Sequence, residues 1–137
     1  MYQIYFLSIL ANIVAGIAIG FDRIDERLRL HAVFNPELFH HTGFRLAMGL
    51  ITFVVGFLKL LSVTPGDVAV VGDLLPALMG MVMGAVLVFQ YYQERVSVRS
   101  ATIESLHGFV ERYAAAIGTI GIFIAIVHFF LHRVLFL

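Results

Sequence analysis

No cysteine occurs in 137 residues, which excludes disulfides, thiolate metal sites and cysteine nucleophiles and leaves the redox compartment open. Charge is scarce as well. Only 13% of the residues are Asp, Glu, Lys or Arg, against about 25% in an average soluble chain, and nine bases balance nine acids. A chain without a concentrated basic face is a poor partner for phosphate backbones, so nucleic acid is excluded. No motif of high specificity for catalysis or transport is present either.

What stands in place of charge is hydrocarbon. Hydrophobic residues make up 61% of the chain, where soluble domains average about 45–50%. They fall into four runs, about 2–21, 42–62, 74–92 and 113–132. Each is close to the roughly 20 helical residues needed to cross a hydrocarbon core of about 30 Å. The expected fold is therefore all-α: a polytopic membrane protein whose single transmembrane domain, residues 1–137, is a four-helix bundle. The first run has no Lys or Arg before it and no small-x-small cleavage site after it, so it reads as a retained helix rather than a signal peptide.

Arginine placement predicts the orientation. Loops 22–41 and 93–112, with the adjoining helix ends, hold Arg23, Arg27, Arg29, Arg45, Arg95, Arg99 and Arg112, whereas the opposite side holds only Lys59 and Arg133. Positively charged loops stay in the cytoplasm. That puts both loops inside, and both termini and the corner at 63–73 outside, in what reads as a bacterial inner membrane. Arg45 and Lys59, at the two edges of the second span, are expected to snorkel towards water.

Local signals refine the helix ends. Asp25 and Arg29 form a favourable i,i+4 pair, so the first helix should run past the membrane surface until Asn35-Pro36 stops it. Asn35 then caps a second helix with Pro36 at its first position, and that helix continues into the second span. Thr64-Pro65-Gly66-Asp67 reads as a turn. Asp73 is placed to cap the third span, with Pro76 in its first turn. From about Ser100, the alignment of Ile103, Leu106, Val110 and Tyr113 on one face predicts an amphipathic lead-in to the last span. Gly16 and Gly20, Gly80 and Gly84, and Gly118 and Gly121 mark small-residue faces suited to close helix packing, here expected to draw copies of the chain together.

The topology gathers two sets of candidate residues. On the outer side Lys59, Asp67 and Asp73 could form an ion site or gate, because ionisable groups at membrane depth are functional candidates. His128 and His132, four residues apart on one face, could share a divalent metal with one of those carboxylates. On the inner side His31, His40 and His41, near Glu37 and with His107 on the other loop, could bind a divalent metal. The plainer readings are an ion pair pinning the corner and ordinary interfacial histidines. For Ser8 and Asn12 in the first span, hydrogen bonds between helices are expected.

Known small families fit poorly. Small multidrug transporters are similar in size but depend on a carboxylate in the middle of the first helix, which this helix lacks. Arg45-x-x-x-Gly49 followed by Gly56-x-x-Lys59 resembles the DoxX group over 15 residues, too short a stretch to place the chain in it. The functional expectation is a small non-enzymatic membrane protein, working as a homo-oligomer or as a subunit of a larger membrane complex. Its partners would be the bilayer and itself or another membrane protein. No cofactor is expected. A small channel or transporter using Lys59 and Asp73 is the alternative, and a histidine-based metal-binding protein is a second one.

Overall fold

The computed structural model describes residues 2–61, 74–97 and 100–131, all helix and short connections. In chain order the helices are α1 (Tyr2–Leu28), α2 (Pro36–His40), α3 (Thr42–Leu61), α4 (Leu74–Arg95) and α5 (Ala101–Phe130). α1, α3, α4 and α5 are each long and apolar enough to cross a membrane. At about 1.5 Å per residue, the 30-residue α5 extends about 45 Å, longer than the roughly 30 Å of a hydrocarbon layer. Ser100 caps it by accepting the Ile103 N–H.

Two helix boundaries differ from the sequence expectation. α1 ends at Leu28, well before Asn35, because Arg29 turns left-handed (φ 51°) and a single 3-10 turn, Leu30–Ala32, follows. Asp25 holds this reversal together, its carboxylate accepting the backbone N–H of His31 at 2.6 Å and meeting its imidazole at 2.9 Å. Asn35 does cap α2, accepting the Glu37 N–H at 3.0 Å with Pro36 next to it. However, α2 does not run on into the second span. His41 is extended, and its imidazole Nδ1 accepts the Phe44 N–H at 3.4 Å, so α3 starts afresh at Thr42.

α1 is the centre of the bundle. It packs against α3, α4 and α5, and 67% of its apolar window is buried, against 28% for both α3 and α5. α4 also touches the other three long helices, while α3 and α5 take opposite corners. Glycine permits the tight edges. A methyl on Gly16 would meet the Gly118 carbonyl oxygen at 2.7 Å, which fixes the crossing of α1 and α5. One on Gly84 would meet the Gly49 carbonyl oxygen at 2.6 Å, which does the same for α4 and α3. Gly80 faces Asn12, and Gly121 faces Met83. The stripes expected to draw copies together are thus used inside the chain.

Two further features shape the basic end, where α1 and α4 finish and α3 and α5 begin. α1 kinks at Gly20 (φ −116°, ψ 22°), where it passes Ala115 so closely that a methyl would stand 2.9 Å from its Cα. Below it, Phe39 stacks on Phe21 with ring centroids 5.0 Å apart and meets Phe44 edge-on at 5.4 Å. This aromatic wedge docks α2 under α1.

Candidate functional site

The two ends of the bundle treat their polar residues differently. At the end carrying the N-terminus, Lys59 does not snorkel: it is 1% exposed, its Nζ 4.9 Å from the centroid of the Tyr5 ring. A cation over an aromatic face keeps part of the stabilisation that it loses with water. The Tyr5 hydroxyl donates to the carbonyls of His128 and Phe129, both at 3.0 Å, and its ring lies 4.9 Å from the buried His128 imidazole. One tyrosine therefore ties together the ends of α1, α3 and α5. Asn12, two turns further along α1, donates across to the Pro76 carbonyl on α4 at 2.9 Å, the expected bond between helices. Ser8 instead bonds within its own helix, to the Tyr5 carbonyl at 2.8 Å. Thr52 is fully buried opposite Ala11. Among the described residues of this end, these polar side chains are buried. Asp67, Asp73 and His132 lie outside the described residues, so the ion site, the cap on the third span and the histidine pair do too.

Ionisable side chains at the basic end line an open cavity of about 590 Å³. α1 contributes its wall from Ala18 to Arg23, and α4 contributes Phe89, Gln90, Gln93 and Glu94. From α5 come His107, Val110, Glu111, Ala114 and Ala115, with His40 and Arg45 below. The shape follows from the crossings. α1 and α5 meet at Gly16–Gly118 and α4 meets α5 at Met83–Gly121, so beyond these points the three helices enclose a wedge floored by small residues.

Charges of both signs are arranged in pairs around the mouth. Arg45, expected to snorkel, turns inward with 17% of its side chain exposed. Its Nη1 reaches Glu94 at 3.3 Å, and its Nη2 donates to Gln90 at 2.8 Å. Thr42 holds the other Glu94 oxygen at 2.9 Å, so Glu94 joins α3 to α4. His40 pairs with Asp22 at 3.2 Å and His107 with Glu111 at 3.3 Å. Arg23, also on the wall, has no ion pair among the described residues.

The predicted inner histidines are thus dispersed. His31 closes the loop with Asp25 and His41 caps α3, leaving only His40 and His107 at the cavity. Among the described residues no three His, Asp or Glu side chains converge to hold a metal ion. Sequence reasoning missed the cavity residues Asp22, Arg45, Gln90, Gln93, Glu94 and Glu111 as a group. A signal for them existed: Gln90, Gln93 and Glu94, like His107, Glu111 and Ala114, follow the 3–4 spacing of a single helix face at the same end of the bundle.

No curated protein and no solved structure matches the chain. One family model does match, over residues 1–128, and it describes a family of unknown function. That match spans nearly the whole sequence, and the chain belongs to this family.

Proposed function

We propose that this is a non-enzymatic integral protein of a bacterial inner membrane, with both termini outside and both charged loops in the cytoplasm. In this reading it takes a small polar or amphiphilic molecule into its basic-end cavity. The observation that carries the reading is a contrast within the bundle: a mixed-charge cavity of about 590 Å³ opens at one end, while the described polar residues of the other end are buried. That volume lies in the range of about 300–1,000 Å³ typical of small-ligand sites. The seven-to-two bias in basic residues supports placing this mouth on the cytoplasmic side.

Purified protein would be screened for thermal stabilisation, then for uptake into proteoliposomes, with a panel of amino acids, amines and organic phosphates. A ligand that binds the folded state alone raises its stability by mass action. Binding should be abolished by Ala114→Phe, which narrows the wedge, and weakened by Glu94→Gln, which leaves the packing intact. A hit that both variants bind unchanged would refute the cavity as the site.

A second reading, the homo-oligomer or subunit, rests on a different observation. Leu28 and Val33 are 70% and 79% exposed amid the charges of the first loop, a place where lipid tails do not reach. The native mass of gently extracted protein, with every co-purifying chain identified, tests it. A monomer without partners would dismiss it.

A further inference from the structure

Arg45 lines the basic-end cavity, and its buried Nε has no hydrogen-bond partner among the described residues. Buried donors are nearly always satisfied, so an acceptor belongs beside it. Arg23 on the same wall likewise lacks an ion pair among the described residues. On the rim, Asp22 and Glu111 meet only histidines, whose charge is not permanent. With the histidines neutral, two arginines face three carboxylates around the cavity, a net charge of −1. An occupant bearing both an anionic oxygen and an ammonium group would match both features.

The cavity also has an apolar neighbour. Leu50, Phe53, Ala85, Val88, Phe89 and Tyr92 line a groove of about 480 Å³ along α3 and α4, almost without polar surface. Phe89 belongs to both walls, so groove and cavity adjoin. One molecule with a charged head and a hydrocarbon chain could occupy both at once. Tyr91, Tyr92 and Arg45 sit at helix ends, where headgroups meet hydrocarbon.

We infer that cavity and groove together form the site of a zwitterionic membrane phospholipid. Its phosphate sits on Arg45 and Arg23, its ammonium group sits between Asp22 and Glu111, and one acyl chain lies in the groove. This rests on the reading of the cavity as the working site and names its ligand class. A free zwitterion shares the head chemistry but has no use for the groove.

The test uses the full chain in detergent, offered equal amounts of phosphatidylethanolamine and phosphatidylglycerol with identical chains, with retained lipid read by native mass spectrometry. The expected result is one phosphatidylethanolamine per chain, favoured at least about tenfold, the order of one charge-assisted hydrogen bond. Glu111→Gln, at an exposed position, should erase that preference. Ala85→Trp fills the groove without touching the head charges, and should lower retention about tenfold with no change in unfolding temperature. Equal retention of both lipids by the unaltered protein would overturn the inference, as would a preference that survives Glu111→Gln. If soluble phosphoethanolamine displaces the lipid and Ala85→Trp has no effect, the occupant is a free solute; the lipid is then rejected while the cavity reading stands. The cavity reading fails separately, when Ala114→Phe changes the binding of nothing.

Discussion

The two ends of this bundle contain similar chemistry and put it to opposite uses. At the N-terminal end a lysine, a tyrosine, a histidine, a serine, an asparagine and a threonine are all buried, and their described contacts run to backbone carbonyls and aromatic faces. At the basic end the ionisable groups pair side chain to side chain around open space. Glycine crossings separate the two regimes. Where helices touch backbone to backbone, polar groups are sealed in; beyond the crossings, helices diverge and polar groups line a wall. Polar residues in this bundle thus acquire their roles from distance to the nearest crossing as much as from their own chemistry.

Substitutions can break or sharpen that contrast. The largest effect is expected from Gly118→Leu, whose side chain would run into the Gly16 carbonyl and force α1 from α5. Overpacking of this kind costs about 3 kcal/mol or more, and both ends should loosen together. Unfolding temperature and lifetime in detergent would show it; a variant of unchanged stability would mean that the crossing does not separate the ends.

Next comes Lys59→Ala at the N-terminal end, compared with Arg23→Ala at the open end. Lys59 is buried over Tyr5, so its loss should cost about 2 kcal/mol through lost packing and the lost cation-aromatic contact. Arg23 is exposed, and its loss should fall within about 0.5 kcal/mol. Equal costs in a denaturation assay would erase the distinction between the ends. An effect smaller than that of Lys59→Ala is expected from Tyr5→Phe, which keeps the ring under Lys59 but removes the hydroxyl that reaches α5. Its cost should be about 1 kcal/mol, and it should raise amide exchange at the end of α5 selectively. Exchange unchanged there would show that the hydroxyl is not the tie.

Much of this architecture was legible in the sequence. Four apolar runs gave four long helices, and Asn35-Pro36 and Ser100 capped helices as their residue types require. The break at His41 was hidden because it depends on an imidazole acting as a cap, a role with no strong sequence signature. The burial of Lys59 was hidden for another reason. Its aromatic partner Tyr5 lies 54 positions away, and a lysine at a helix end usually reaches water. The cavity depends on a kink at Gly20 and on helix divergence beyond two crossings, neither of which hydrophobic patterning encodes. The glycine spacing pointed to close packing without saying whether the partner helix belonged to the same chain.

The central position of α1 has a consequence for how the chain is made. α1 precedes in the chain the helices that it packs against, so Tyr5 and Asn12 are made before their acceptors exist, since Pro76 and His128 are synthesised later. Until then its polar stripe and its Gly16 face must be shielded by something other than their final neighbours. These bonds therefore close only once α5 has been made, and a chain truncated after α4 should be recognised as incomplete and degraded.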